Sequence, residues 1–287
     1  SITSGARRGV YLNGARAELN LTKSEVKITT LSGRSIHLVG EDSAFKTSES
    51  KSNIKTGTGA GISLSGVNSL VDLNYSHIDF NGTTGYGIEL TGNRLNLKTS
   101  ESKISIKNTG SANGITMNGQ DSSLEIWDNS EISIEGGVGA HESILIGNGN
   151  ANPSLKVSDN SNISISAQSN SNTAANGSNN AIRIAGSSPI LEVSRNSKIS
   201  IDVLSGGRRS IFMNGESAVL KVDNNSEILS NNFYGTSIGM NTSNAEVTVD
   251  NFSKINIESS ARRNNALIDI STGENNLVIK NNSSIST

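Results

Sequence analysis

Between Gly114 and Ile134 the chain reads GITMNGQDSSLEIWDNSEISI, in which three apolar pairs are each split by one polar residue: Ile115/Met117, Leu124/Ile126 and Ile132/Ile134. A spacing of two places both members of a pair on one face of a strand and turns Thr116, Glu125 and Ser133 to the other. Asn118-Gly119 separates the first two pairs and Asp128-Asn129-Ser130 the last two. These residue types accept the left-handed backbone angles of tight turns. The pattern therefore predicts strand, corner, strand, corner, strand, which is one coil of a three-sided solenoid.

The first apolar residue of the unit can be followed through Val10, Ile36, Ile62, Ile88, Ile115, Ile144, Ile182, Ile211, Ile238 and Ile268, in steps of 26, 26, 26, 27, 29, 38, 29, 27 and 30 residues. That predicts an all-β, parallel β-solenoid of about ten coils with three strands per coil, and insertions confined to corners. In this register the inward positions are apolar except Ser43, Ser52, Ser230 and Thr287. The segment KTSES at Lys46 to Ser50 recurs at Lys98 to Ser102, a visible two-coil duplication. Residues 1–287 read as a single domain. Ile2 resembles the tail of a preceding third strand and Ile285 completes one, so the expectation is a piece of a longer repetitive surface protein.

Composition fits this reading. Only 33% of residues are hydrophobic and 3% aromatic, with 29 glycines against two prolines. A globular core would be thin at that content, whereas a solenoid buries only the inward stripe of each coil. The formal net charge of −2 gives no global field for nucleic acid or an anionic membrane, so any electrostatic argument rests on local clustering. There are no cysteines, which excludes disulfides and thiolate metal sites. No apolar run approaches the length of a membrane span, and SITSGARRG lacks a signal-peptide core.

From coil five onward the second corner repeats: Asp128-Asn129-Ser130, Asp159-Asn160-Ser161, Arg195-Asn196-Ser197, Asn224-Asn225-Ser226, Asn251-Phe252-Ser253 and Asn281-Asn282-Ser283. Stacked asparagines at this corner are expected to take the left-handed bend and bond to one another along the axis. The N-x-S triplets starting at Asn224, Asn251 and Asn281 follow from that architecture rather than from glycosylation. The corner leading back to the first strand varies most in length, up to Ser166 to Ala181, and marks the candidate functional edge. Trp127, the single tryptophan, lies at the opposite corner and is expected to pack there.

The GI-x-L/M-x-G, L-x-V/I and N-S-x-I-x-I pattern resembles the pectate-lyase-like adhesive domains of Gram-positive surface proteins, including the binding regions of lactobacillal serine-rich-repeat adhesins. The resemblance covers essentially the whole chain. It implies a right-handed parallel β-helix, held at the bacterial cell surface through wall-anchoring segments absent from this sequence. It also implies attachment to host or plant polysaccharide, mucin or glycosaminoglycan, with no cofactor. A Gram-negative autotransporter passenger would show similar coils.

An eliminating lyase on this fold needs clustered carboxylates for calcium and a basic residue for the proton. The second-strand outward column, Asn20, Lys46, Asp72, Asn96, Glu125, Lys156, Glu192, Lys221, Thr248 and Val278, instead interleaves acids with lysines and amides. His37, His77 and His141 fall on different coils and faces. The expectation is a protein without catalysis, the alternatives being a polysaccharide lyase or hydrolase on the same fold or a passive stalk that projects another domain.

The binding signal is the placement of arginine. Eight of eleven arginines (Arg7, Arg8, Arg34, Arg183, Arg208, Arg209, Arg262 and Arg263) share the edge of the first strand and its preceding corner. Guanidinium groups suit bidentate contact with carboxylate and sulfate and also stack on flat faces. The predicted site is Arg183, Arg208, Arg209, Phe212, Tyr234, Arg262 and Arg263, with Arg7, Arg8, Arg34 and Tyr86 as a second patch. The expected partner is a sulfated or uronate-rich polysaccharide or glycoprotein. Nucleic acid and membrane insertion are not expected, and the domain reads as a monomer in tandem with further repeats.

Overall fold

The computed structural model describes residues 1–5, 8–82, 84–108, 110, 112–136, 142–147, 152–168, 180–205, 209–232, 236–258, 267–270 and 273–287. Among them there is no helix. Thirty-one strands fall into three parallel sheets of eleven, ten and ten strands, and each strand pairs with the strands three before and three after it in sequence. The chain is a β-solenoid of about nine turns between its ten first strands. The residues that open the apolar pattern stack directly: Val10 on Ile36, Ile36 on Ile62, Ile62 on Ile88, and so through to Ile238 on Ile268. Ile2 and Ile285 lie in the third sheet, over Ile28 and Ile255.

One hydrophobic cluster fills the axis from Ile28 to Ile257, with Val10, Leu12, Ile268 and Ile285 packed against its ends. Most of its members are fully buried, so each coil contributes an inward stripe while its outward residues alternate into solvent. No helix among the described residues is long and apolar enough to cross a membrane.

The second sheet departs from the apolar pattern in two coils. In coil two Phe45 and Thr47 lie over Leu19 and Leu21, and in coil four Leu97 and Thr99 face Leu124 and Ile126. Thr47 is therefore inward as well as Ser43, which is 0% exposed, and the outward column in coil four is carried by Lys98 beside Glu125, with Asn96 opening the strand. Thr47 and Thr99 are 4% and 1% exposed, and their hydroxyls have no partner among the described residues. Leaving such a group unpaired costs about 1–3 kcal/mol, so a stronger constraint holds the register.

That constraint is a column of serines. The backbone N–H of Ser24 donates to Ser50 Oγ at 3.1 Å, Ser50 to Ser76 at 3.2 Å, Ser76 to Ser102 at 2.9 Å and Ser102 to Ser130 at 3.1 Å. The series continues through Ser161, Ser197, Ser226 and Ser253 to Ser283. In coils one to four the serine follows the last inward residue of the second strand by three, as Ser24 follows Leu21 and Ser50 follows Thr47. Ser43 is buried without any slide of the strand, its Oγ donating to the Gly40 carbonyl at 2.7 Å. From coil five an extra residue enters, and the corner then carries two left-handed residues, such as Asp128 (φ 52°) and Asn129 (φ 59°), where coil four has only Glu101 (φ 45°).

The expected asparagine bonds form in part: Asn225 donates to Asn196 Oδ1 at 3.0 Å. The column is also tied by backbone bonds, including Phe252 N–H to the Asn281 carbonyl at 3.0 Å. A phenylalanine fits this column because the main chain makes the bond. At the first corner, glycine is required for a different reason. Gly40 has φ 135°, and a Cβ there would lie 2.1 Å from the Gly14 carbonyl oxygen.

Ile163 is 1% exposed and Ser164 is exposed on the same strand. Ile163→Asn buries an amide and removes packing, so it is expected to destabilise by about 2–5 kcal/mol, against less than about 0.5 kcal/mol for Ser164→Asn. Denaturant midpoints of the two variants check this, and equal shifts would contradict the inward register.

Candidate functional site

The outward column of the first sheet runs Tyr11, His37, Ser63, Glu89, Thr116, Leu145, Arg183, Phe212, Gly239 and Asp269. Although it faces away from the core, it is recessed: Ser63 is 0% exposed and His37 5%. On the other two faces, outward Lys156 and Ser164 stand in solvent. The column mixes short side chains with long ones, and the long ones lie down over the short.

Coils one to four show this first. The Arg8 guanidinium carbon sits 3.9 Å from the centre of the Tyr11 ring, and Tyr11 and His37 have ring centres 5.4 Å apart. Arg34 opens the first strand of coil two and reaches across coil three to Glu89, with Nη2 and Nε at 3.2 and 3.3 Å from Oε2. Ser63 Oγ donates to the same oxygen at 3.2 Å. A larger residue at 63 would block that crossing. Burial is the main cause that holds the His37 pKa down at about 4, helped by positive Arg34 and Arg8 and opposed by Glu89. The imidazole is neutral at ordinary pH, and its Nδ1 has no partner among the described residues.

Coils six to nine repeat the theme. Arg183 Nη1 is 3.4 Å from Glu142 Oε1, and the Glu142 side chain is 6% exposed. The Arg209 guanidinium lies 4.3 Å from the centre of the Phe212 ring. A Cβ on Gly239 would come within 2.4 Å of Arg209 Nε, so the bare backbone of coil nine makes room for it. Arg8/Tyr11 and Arg209/Phe212 occupy equivalent positions: Arg8 aligns with Arg34 as Asn180 does with Arg209, and Val10 and Ile211 open the same apolar pair. The two pairs are seven coils apart, or about 34 Å at the spacing of adjacent strands.

Of the predicted site, Arg183, Arg209 and Phe212 come together on this face, and Arg8 and Arg34 form the second group. Tyr86 is half-buried in the corner before coil four, and among the described residues no arginine lies over it. Arg7, Arg208, Tyr234, Arg262 and Arg263 lie outside the described residues. The arginines on this face do not all stand free in solvent. Arg34 and Arg183 instead lie along the sheet, with 39% and 32% of their side chains exposed.

The partners Glu89, Glu142 and His37 escaped the sequence reading. Glu89 was visible as an outward acid, and the signal was Ser63 between it and Arg34. Glu142 lies in a corner of irregular length, where the repeat sets no register.

Many lysines on the other two faces are neutralised by neighbours one coil away, as with Lys98–Glu125 at 3.6 Å, Lys103–Glu131 at 2.9 Å and Lys198–Glu227 at 2.9 Å. Pairs this exposed add little stability but cancel local charge. No three histidine or carboxylate side chains among the described residues converge to hold a metal ion. A guanidinium stacked on a ring keeps its in-plane donors free for a carboxylate or sulfate and is held in place before the ligand arrives. The chain matches no protein-family model, no curated protein and no solved structure.

Unfolded histidine takes up its proton near pH 6.5, whereas folded His37 does so only near 4. Between these values the unfolded chain holds more protons, so this residue's contribution is complete above pH 6.5 and is lost as pH falls through 4. Denaturant midpoints at pH 4 and pH 7 are expected to differ less in His37→Gln than in the unaltered protein. An equal difference would contradict the buried neutral imidazole.

Proposed function

We propose that this chain is a non-catalytic adhesin domain of a bacterial cell surface that binds acidic polysaccharide along the first sheet, on a right-handed coil. The hand is the one that connections between parallel strands of one sheet take in about 98% of cases. The observation that carries the binding reading is the repeated arginine-on-ring pair, Arg8 over Tyr11 and Arg209 over Phe212, in equivalent positions of one recessed face. Arg34 and Arg183 stand on the same face, each paired with a glutamate, Glu89 or Glu142, that leaves part of its guanidinium free. A linear polyanion bearing uronate or sulfate can bridge them, whether glycosaminoglycan, mucin glycan or pectin-like chain. The protein works outside the cell as a monomer in tandem with further repeats, without nucleic acid or membrane insertion.

Glu89 and Glu142 tune the site. Each holds an arginine flat while the face is empty, and a ligand carboxylate or sulfate takes over the outer donors. A rival reading as a polysaccharide lyase has one observation in its favour, a neutral His37 beside Tyr11 and two arginines. Against it, His37 is 5% exposed. An unsaturated product absorbing in the ultraviolet on incubation with pectate would favour the lyase.

Binding of heparin and polygalacturonate is expected to weaken about tenfold between 50 and 200 mM salt, since each contact releases counterions. Serine at Arg208, Arg209, Arg262 and Arg263 should remove most of it. Serine at Lys221, Lys254 and Lys280 should matter little, because Asp223, Glu227 and Asp250 already neutralise those lysines at 3.2, 3.9 and 3.2 Å. Glu142→Gln releases Arg183 and is expected to tighten binding about threefold. Loss of binding in the lysine variant with retention in the arginine variant would move the site to another face.

A further inference from the structure

On a different edge, where the second sheet turns into the third, an open trough of about 790 Å³ runs along coils one to five. Its floor is the start of the serine column. One wall is the left-handed corner position, occupied in successive coils by Lys23, Glu49, Tyr75 and Glu101. The facing wall is the first residue or two of the third-sheet strands, including Lys51, His77 and Lys103.

Tyr75 stands out on this wall. It holds φ 45°, a backbone region that costs a bulky residue about 1–3 kcal/mol. Its side chain recovers little packing, since the residue is 55% exposed. The neighbouring Glu101 carboxylate, one coil on, pushes the phenol pKa up by hydrogen bonding and by its negative charge. The equivalent positions in neighbouring coils carry flexible charged chains. A strained and exposed aromatic ring is suited to receiving something flat.

Charge decides what. The trough contains Lys23, Lys51 and Lys103 against Glu25, Glu49, Glu101 and Glu131, three positive and four negative, for a sum of −1 with histidine neutral. Lys23 faces Glu49 at 3.7 Å and Lys103 faces Glu131 at 2.9 Å. This lining offers donors and acceptors in near-equal number but no field for a polyion, unlike the arginine face.

We propose that the trough binds a linear neutral oligosaccharide lengthwise, with one pyranose face stacked on Tyr75 and its hydroxyl groups bonded to Glu49, Glu101 and Lys51. The four coil steps span about 19 Å, which accommodates roughly three to four sugars. The site is separate from the arginine face and independent of whether that face binds polyanions.

The test is calorimetric titration of the full chain with linear hexasaccharides of β-1,4-glucose, α-1,4-glucose, β-1,4-mannose, β-1,4-xylose and N-acetylglucosamine. At least one is expected to bind. Tyr75→Ala should weaken that binding about tenfold, while Tyr75→Phe keeps the ring and most of the affinity. Phe252→Ala removes a ring at the same kind of corner, 62% exposed with φ 63° but outside the trough, and should change nothing. Polygalacturonate binding, measured beside it, should be the same in Tyr75→Ala as in the unaltered protein. Failure of all five sugars to bind at about 10 mM, or equal affinity in Tyr75→Ala, would overturn the proposal.

Discussion

Hydrogen bonding along the axis is the constraint on which the other features depend. A parallel strand has no short hairpin to fix its partner, so each coil must find its place on the coil below by the match of whole columns. The serine column does this with one side chain per coil. Each hydroxyl accepts the N–H of the previous coil's serine, and Ser50, Ser76 and Ser102 also donate to carbonyls two residues back, at 2.8, 2.7 and 2.7 Å. The column thus engages the hydroxyl as both acceptor and donor in coils two to four. It is strong enough to hold Thr47 and Thr99 in the core with unpaired hydroxyls.

Once coils are in register, any outward residue has as its nearest neighbours the residues one coil above and below it. Much of the charge on the second and third faces is accordingly cancelled in columns, with lysine against glutamate. On the first sheet the same rule produces something else, because short residues separate the long ones. Ser63 lets Arg34 cross to Glu89, and Gly239 lets Arg209 settle on Phe212. Cations that would otherwise wave in solvent are laid flat and held beside rings. Preorganised guanidinium groups lose less freedom on meeting a polyanion, which supports assigning the binding role to this face.

Much of the fold was legible in the sequence because the inward stripe is nearly uninterrupted, and the ten residues from Val10 to Ile268 stack as their spacing implies. Thr47 and Thr99 went unread as inward because Ser43 and Leu95, both also buried, already made an inward pair with Phe45 and Leu97. The deciding signal was the serine at a fixed step beyond them, present in every coil but overshadowed by the more conspicuous asparagines. The site was legible in outline only. Arginine segregation pointed to the first-sheet edge, yet which acid meets which arginine depends on side chains crossing two coils, or on corners such as that of Glu142 where the period drifts.

The most direct measurement is two-dimensional NMR of the arginine Nε–Hε groups during titration with polygalacturonate. The account predicts that resonances of Arg8, Arg34, Arg183 and Arg209 shift, while those of Arg16, Arg94 and Arg195, which lie away from the first-sheet face, stay in place. Shifts confined to Arg16, Arg94 and Arg195, or none at any arginine, would contradict it.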